Sequence, residues 1–393
     1  MGLYDDEEED EVPVSAMGKE KTKSQAIPSV SRENGLVDGE PTLKRSRQQL
    51  DDDGDDIFAE NTGESTESER RRSAPINAQS KFATTSRNGL DEEKTEKSPR
   101  LLWTMRAKKG ERDEMQDGHL VVEKMIEASK DVYRCALYAI FDGHGGARAA
   151  KHCEKKIGEI FEAKLKAAGD VTTIEKSLKR IFADTYKHVD ELFLMEARKN
   201  KPVWKDGTTA TTVLFLNGAI YAANIGDSRA VVAREKDDGT SELCSIQMTI
   251  DHSPLLHDER MRIQKAGGTV KDGRVNGLLE VSRSIGDGQF KGFGVIAQPD
   301  LKKLTITDRD RFLVIACDGL WKSFGNDEAI NYIRNEVEKA KKLDSFLATS
   351  SPNVEQSAWD HAVESICAEA IRRKCGDNVS VLLVKIDNFV KKE

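Results

Sequence analysis

The chain has 393 residues, of which 37% are hydrophobic and 33% charged, and it carries a net charge of −8. Residues 1–100 contain 15 Lys/Arg and 24 Asp/Glu, a net of −9, so residues 101–393 are close to neutral at +1. A near-neutral globular part lacks the basic surface of a nucleic-acid-binding protein, and no apolar run approaches the length of a membrane span. Composition therefore argues against both nucleic acid and membrane as partners.

The first 100 residues differ in composition from the rest of the chain. They are rich in Glu, Asp, Ser, Lys and Gly, and charge blocks such as "DDEEEDE" and "DDDGDD" repel themselves. Such a segment buries too little apolar area to offset the entropy lost on ordering. We therefore predict a disordered acidic tail over 1–100 and one folded domain over 101–390.

Two basic clusters in the tail, "KRSR" and "RRRS", are either nuclear-import signals or solvated charge. The six cysteines of the chain form no CxxC pair, which is typical of reduced thiols inside the cell. No secretory signal is recognised at the start of the sequence. These features predict a cytoplasmic or nuclear protein.

Apolar periodicity predicts the elements of the folded part in chain order. The run "RCALYAIFD" is typical of a buried strand, and helices are expected over 147–168 and 173–199, the second starting near Thr172 or Thr173. Two β-rich runs on either side of Asn217-Gly218 predict a hairpin. Further strands are expected in "RAVVAR", "RFLVIACDG" and "NVSVLLVKI", and further helices over 256–266, 326–342 and 358–373. Hairpin-linked strands favour antiparallel sheets with helices packed outside over a doubly wound parallel sheet.

Five aspartates share one setting, because each begins or ends an apolar strand. They are Asp117, Asp142, Asp227, Asp318 and Asp377. Carboxylates at strand ends can converge on one point, where they repel one another unless a cation lies between them. Mg²⁺ and Mn²⁺ suit such an oxygen-rich site, whereas the sequence has no HxxxH, HExxH or cysteine cluster that would favour zinc. A single Asp-Gly is more often a turn, so the prediction of a metal site depends on the repetition.

The stretch "YAIFDGHGG" adds a histidine to this pattern. Gly143 and Gly145 lack a Cβ, so a backbone carbonyl there can approach an ion closely. His144 is either a hydrogen-bonded turn histidine or a proton donor beside the metal. Its position next to a metal carboxylate favours the proton donor.

The motifs that carry these residues resemble those of the metal-dependent serine/threonine protein phosphatases of type 2C. "RDEMQD", "FDGHGG", "DGTTAT", "ANIGDSRAV", "DHSP", "ERMRIQKAGG", "GRVNGLLEVSRSIGD", "ACDGLW" and "GDNVSVLLV" occur in the order found in that family. The resemblance covers about residues 105–387. Segments such as "KGERDEMQD" and "LEVSRSIGDGQ" are similar to those of a kinase-associated branch of the family.

The resemblance implies an α+β fold in which a sandwich of two antiparallel β-sheets is flanked on both faces by α-helices, giving four layers, α-β-β-α. It also implies two Mg²⁺ or Mn²⁺ ions. Asp142 matches the carboxylate that bridges them, and Gly143 matches the residue that lends a backbone carbonyl to one ion. Asp318 and Asp377 match ligands of the other ion, and Asp117 matches an acidic residue that holds metal-bound water.

The same resemblance assigns the catalytic side chains. Arg112 matches the arginine that grips the substrate phosphate, and His144 matches the general acid. The implied reaction is hydrolysis of phosphoserine and phosphothreonine by a water that the two ions activate. The implied partners are phosphoprotein substrates and kinase-associated signalling proteins, and we expect a monomer.

Three other functions are compatible with parts of the sequence. A catalytically dead scaffold for phosphoproteins would be expected to lose metal carboxylates, which this chain retains. A two-metal nuclease would need a basic surface. A cysteine phosphatase would need a CxxxxxR loop, but position 323 after Cys317 is Ser323, so we interpret Cys317 as a core residue.

Two departures from the family pattern concern the metal site. Many relatives have Glu-Asp where this chain has Gln116-Asp117, from which we expect slightly weaker metal binding. Many relatives also have Asp where this chain has Lys322, and that Asp helps to hold a third, weaker ion. We expect the Lys322 ammonium to oppose a third ion and to pair with Asp227 in its place.

Overall fold

The computed structural model describes residues 101–127, 131–346 and 354–386, with side chains up to residue 343 and again from 354. The predicted tail, residues 128–130 and 347–353, and the last residues of the predicted domain lie outside this set. None of the helices in the described ranges is both long and apolar enough to cross a bilayer.

Ten strands form two five-stranded sheets in which every pairing is antiparallel. The first sheet has the order β13-β7-β6-β3-β2 and consists of β13 (Asp300–Thr305), β7 (Ala219–Ile225), β6 (Ala210–Leu216), β3 (Cys135–Phe141) and β2 (Gly118–Val122). The second sheet has the order β1-β15-β14-β8-β9 and consists of β1 (Trp103–Lys108), β15 (Val379–Lys385), β14 (Asp310–Ala316), β8 (Arg229–Glu235) and β9 (Leu243–Gln247).

Short strands and helices complete the described part of the domain. The two-residue strands β4 (Gly143–His144), β5 (Gly207–Thr208) and β12 (Ile285–Gly286) form a small sheet, and β10 (Val270–Lys271) pairs with β11 (Arg274–Val275). The helices are α1 (Arg148–Ala168), α2 (Val171–Arg198), α3 (His257–Lys265), α4 (Asp318–Trp321), α5 (Asn326–Phe346) and α6 (Val354–Arg372), with a 3₁₀ turn at Lys291–Phe293.

The side chains of the central strands alternate between two apolar layers. Leu137 and Ala139 of β3 pack against α1 and α2, whereas Tyr138 and Ile140 face the second sheet, where they meet Leu313 of β14. The outer face of the second sheet packs against α5 and α6. A strand buried on both faces needs an unbroken apolar sequence, which explains the run "CALYAIF" of β3. The predicted four-layer α-β-β-α fold is confirmed.

The predicted elements are present, with shifted ends. The hairpin turns at Asn217-Gly218 as expected, and Asn217 adopts a positive φ of 50°. The start of α2, predicted near Thr172 or Thr173, lies slightly earlier at Val171, because Asp170 caps the helix by accepting a hydrogen bond from the Thr173 amide. The last helix begins at Val354, four residues before the predicted start.

Antiparallel pairing brings the predicted carboxylates to one edge of the sandwich. Phe141, the last residue of β3, pairs with Gly118, the first residue of β2. Ala316, the last residue of β14, pairs with Val381 near the start of β15. The end of one strand therefore lies beside the start of the next in both sheets, and the aspartates occupy these positions.

Replacement of Tyr186 by Phe should lower the free energy of unfolding by about 1–2 kcal/mol. The buried Tyr186 hydroxyl joins α2 to the first sheet, since it lies 2.9 Å from Thr212 Oγ1, 3.2 Å from the Ala210 carbonyl and 3.0 Å from the Ala223 carbonyl. Urea unfolding of the domain measures the change.

Tyr138→Phe is the matched control for this measurement. Tyr138 is equally buried, but its hydroxyl has no hydrogen-bond partner within the described ranges. Its removal should leave the stability unchanged or raise it. Equal losses in the two variants would show that the Tyr186 hydrogen bonds do not stabilise the packing of α2.

Candidate active site

A cavity of ≈ 530 Å³ opens at the sandwich edge where the strand ends meet. It is lined by six of the seven predicted site residues and by further polar groups: Arg112, Asp142, Gly143, His144, Asp318 and Asp377, together with Lys205, Asp227, Asp287 and Lys322. The seventh predicted residue, Asp117, lies behind this lining, next to Asp142. The structure therefore brings all seven together.

Asp142 is the common member of two groups of close metal-ligating atoms. Its carboxylate lies within 4.8 Å of carboxylate oxygens of Asp227 and Asp318, and these two lie within that distance of one another. It also forms a group of the same size with Asp117 and the Cys317 thiol. The backbone of Asp142 is fixed to the neighbouring strand, because its carbonyl accepts hydrogen bonds from the Thr209 amide and the Thr208 hydroxyl.

The carboxylates around Asp142 carry uncompensated negative charge. Burial raises the pKa of Asp117 from 3.8 to about 6 and that of Asp227 to about 7, and nearby carboxylates add to both shifts. The pKa of Asp142 is raised well above its usual value by burial and by Asp117, Asp318 and Asp227. Both oxygens of Asp117 are buried, and no hydrogen bond of normal geometry reaches them in the described part of the chain, although the nearby Ser380 and Cys317 side chains act to lower its pKa. A divalent cation would relieve this repulsion and give Asp117 a partner.

The donor set fits a hard cation. Carboxylate oxygens are the ligands that Mg²⁺ and Mn²⁺ prefer. The Cys317 thiol is not available as a soft ligand, because it donates to the Asn378 carbonyl and accepts from the Ser380 amide. Burial and the adjacent Asp117 and Asp142 hold the pKa of Cys317 well above its usual range, so the thiol stays neutral. This agrees with the interpretation of Cys317 as a core residue.

Asp318 and Asp377 differ from the other carboxylates because basic side chains contact them. Lys322 Nζ lies 2.6 Å from Asp318 Oδ2 and 3.0 Å from Asp377 Oδ2. The expected pairing of Lys322 with Asp227 is therefore wrong. Lys322 follows Asp318 by four residues in one helical turn, and this spacing brings the ammonium to the carboxylate of Asp318.

Gly143 is required by a close approach of two backbone segments. A Cβ at this position would lie 2.2 Å from the carbonyl oxygen of Gln116, whose own amide donates to Asn378 Oδ1. The sequence suggested a different reason, namely access of the Gly143 carbonyl to an ion. The Gln116 contact holds β4 at the cavity wall, and the approach of the Gly143 carbonyl to an ion stays a prediction.

Arg112 lies half-exposed at the rim of the cavity. Its Nη2 donates to Asp377 Oδ2 at 2.9 Å, and its Nε donates to the Gly376 carbonyl at 3.0 Å. A guanidinium has five N–H donors, so three remain for another ligand. The side chain is thus oriented by two hydrogen bonds and still able to hold an anion.

His144 is bound to an acidic residue that the sequence analysis missed. His144 Nε2 lies 2.7 Å from Asp287 Oδ2, and Asp287 is buried. Burial acts to lower the pKa of His144, but the charge and hydrogen bond of Asp287 outweigh it, and the pKa is raised. Asp287 follows "SIG" as Asp227 follows "NIG", so the strand-end pattern contained the signal for it.

His252 was also missed, and it holds the turn that presents Asp227. The Gly226 amide donates to His252 Nδ1 at 3.2 Å, and the His252 amide donates to the Gly226 carbonyl at 2.8 Å. Because Nδ1 accepts, the ring proton is on Nε2 and bonds Asp300 Oδ2 at 3.0 Å. The motif "DHSP" therefore positions the residue before Asp227.

Comparisons with known proteins agree with this geometry. The family model described as Protein phosphatase 2C matches residues 103–379. The chain is 42% identical over 283 residues to the integrin-linked kinase-associated serine/threonine phosphatase 2C of Homo sapiens, covering 71% of each chain. It is 36% identical over 288 residues to the probable protein phosphatase 2C 67 of Oryza sativa subsp. japonica, covering 70% of this chain and 72% of the relative.

Solved structures show the same fold. The crystal structure of serine-threonine phosphatase 2C from Toxoplasma gondii superposes with a TM-score of 0.60 at 18% identity, over 73% of this chain and 95% of the other. With the matched family model and the sequence relatives, this establishes that the chain belongs to the protein phosphatase 2C family of serine/threonine phosphatases. The family resemblance drawn from the motifs is confirmed.

Acidification should destabilise the domain through His252. Burial, then Arg283, lowers the pKa of His252, so the unfolded chain binds its proton more readily than the folded one. The stabilisation is complete above the unfolded pKa of about 6.5 and is lost as the pH falls below it. Thermal unfolding between pH 7.5 and 5.5 should therefore show a steeper loss in wild type than in His252→Asn, in which Asn supplies an acceptor for the Gly226 amide.

Comparing wild type with His252→Asn cancels the contributions of the other groups that titrate between pH 7.5 and 5.5. Asp117 and Asp227 have raised pKa values and act with the opposite sign, but they are present in both proteins. Parallel stability curves for wild type and His252→Asn would contradict the prediction.

Proposed function

We propose that this member of the family is an active, Mg²⁺- or Mn²⁺-dependent enzyme that hydrolyses phosphoserine and phosphothreonine in proteins. The observation that supports this proposal is the convergence of Asp142, Asp227, Asp318 and Asp377 on one cavity, with the buried Asp117 directly behind Asp142. A half-exposed arginine and a histidine held by a buried carboxylate line the same cavity. A scaffold without activity would have no use for this arrangement.

The residues that would hold two ions are Asp117, Asp142, the Gly143 carbonyl, Asp318 and Asp377, with Asp227 close to Asp142 and Asp318. When bound, such ions lower the pKa of water and offset the charge of a phosphoryl group. Asp142 belongs to both groups of close metal-ligating atoms, so its loss should affect metal binding most.

Arg112 would bind the substrate phosphate. Two of its five N–H groups are engaged by Asp377 and the Gly376 carbonyl, and the others are free to form a bidentate contact with phosphate oxygens. The link to Asp377 means that the phosphate would be held next to a predicted metal ligand. This keeps the phosphorus close to the carboxylate cluster.

His144 would protonate the departing serine or threonine oxygen. Asp287 raises its pKa, which favours the protonated imidazolium near neutral pH. Because Nε2 is bonded to Asp287, Nδ1 is the nitrogen that would give its proton to the leaving group. Asp287 is then a positioning residue that orients the ring and stabilises its charge.

The cellular setting follows from the family and the sequence. The substrates would be phosphoproteins, and the name of the human relative supports a link to a kinase-associated signalling complex. We propose a monomer in the cytoplasm, the nucleus or both. The near-neutral charge of residues 101–393 supports a role without nucleic acid.

Asp142→Ala should abolish hydrolysis and leave the fold intact. The strand contacts of Asp142 are made by its backbone, and removal of its carboxylate reduces repulsion with Asp117, Asp227 and Asp318. Phosphate release from a phosphopeptide with Mn²⁺, and thermal unfolding in EDTA, measure the two effects. Phosphate release at the wild-type rate by the folded variant would contradict the proposed metal centre.

His144→Gln should slow hydrolysis of a phosphopeptide by about 10²–10⁴-fold. The loss should be much smaller with nitrophenyl phosphate, whose leaving group needs little protonation. Asp287→Asn should show the same dependence on the leaving group with a smaller loss, because it disturbs only the orientation and charge of the ring. Equal losses of His144→Gln on both substrates would count against general acid catalysis.

A further inference from the structure

Lys322 is the basic residue most closely tied to the carboxylate cluster. Its ammonium bridges Asp318 and Asp377, and its backbone amide donates to the Asp318 carbonyl at 2.7 Å. The residue forms the C-terminal cap of the four-residue helix α4, which begins with Asp318 itself. Its Cα therefore cannot move away from Asp318, and the ammonium stays within a side-chain length of the cavity.

We propose that Lys322 is a tethered cation of the metal centre, which compensates Asp318 and Asp377 and competes with a divalent ion for these two carboxylates. The inference rests on the proposed function only in that it takes the cavity to be a metal site. It concerns the affinity and number of the ions, neither of which the family assignment fixes.

The hydrogen bonds of Asp377 show how complete this compensation is. Its Oδ2 accepts from both Lys322 Nζ and Arg112 Nη2, and its Oδ1 accepts from the Asn378 amide at 2.8 Å. Three of the roughly four acceptor sites of this carboxylate are therefore occupied, and an ion that bound Oδ2 would have to displace one of its two donors. The protein itself therefore already supplies partners to this side of the cluster.

The other side of the cluster has no ion-pair contact of this kind, although the charge of Lys322 also acts on Asp227. Among the ion pairs of the described residues, none involves Asp117, Asp142 or Asp227. An ion that binds there gains the full attraction of these carboxylates, whereas an ion at Asp318 and Asp377 must first displace an ammonium. We therefore expect two ions to bind with different affinities. The weaker site is the one at Asp318 and Asp377, where the ion competes with Lys322.

The tether also limits the number of ions. Seven carboxylates, the six that line the cavity and Asp117 behind them, face four fixed cations, Arg112, Lys205, Arg274 and Lys322, which leaves a formal excess of three negative charges. Two divalent ions already exceed this by one positive charge. A third would enter a cavity of net positive charge in which the displaced ammonium of Lys322 remains.

Lys205 provides a matched control. Its side chain lines the same cavity, is exposed like that of Lys322, and has no ion-pair partner within the described ranges. Replacing either lysine by Met removes one positive charge from the cavity. Only the replacement of Lys322 removes a contact with Asp318 and Asp377.

The experiment is a Mn²⁺ titration of the metal-free full-length protein, with free Mn²⁺ counted by electron paramagnetic resonance, on wild type, Lys322→Met, Lys322→Arg and Lys205→Met. Wild type should bind two ions, one tightly and one weakly. In Lys322→Met the weaker dissociation constant should fall about tenfold, and thermal unfolding in EDTA should occur at a lower temperature, because the carboxylates lose their partner. Lys322→Arg and Lys205→Met should keep the wild-type constants.

Several outcomes would overturn the proposal. These are an unchanged weaker constant in Lys322→Met, equal changes in Lys322→Met and Lys205→Met, or three ions of similar affinity in wild type. Lys322→Gln is a second neutral replacement, which decides the question if the Met variant does not fold without metal. A protein that binds the ions as expected but releases no phosphate would reject the proposed function and leave this inference standing.

Discussion

Mutual repulsion among five carboxylates at one edge of the sandwich is the constraint from which the chemistry of the cavity follows. Burial makes this repulsion strong, and it raises the pKa of Asp117, Asp142 and Asp227. Among the described residues, ion pairs relieve it at Asp318 and Asp377. The rest of the cluster would attract a divalent cation, as the proposed metal centre requires, and such a cation would favour binding of a phosphate group.

The sandwich keeps these groups together against their repulsion. The two sheets bury an apolar layer between them, and helix pairs cover both outer faces, so the strand ends cannot spread without opening a core. Local contacts add to this rigidity. The Asp142 backbone is bonded to Thr208 of β5 and to the next residue, Thr209, and Gly143 lies against the Gln116 carbonyl. Packing of the four layers thus stabilises the fold, and this stabilisation offsets the repulsion among the carboxylates at the edge of the sandwich.

The elements that sequence predicted well are those whose pattern is local. A strand buried on both faces must be apolar throughout, as "CALYAIF" is, and an Asn-Gly pair suits the positive φ of a tight hairpin. The exact start of α2 was harder to predict, because the apolar spacing does not reveal that Asp170, two residues before Thr172, caps the helix. The five strand-end aspartates could be predicted as candidate ligands for the same reason, since each follows or precedes a strand that is recognisable in the sequence.

By itself, the sequence determined the order of the strands and helices, the family, and the set of carboxylates at strand ends, because all of these are properties of neighbouring residues. Tertiary structure decided which groups share a cavity and which partner each one has. Asp287 reaches His144 across 143 positions in the chain, and Lys322 bridges Asp318 to Asp377, which is 55 positions away. Such pairings depend on how the strands are arranged in the sheets, and no local periodicity encodes that arrangement.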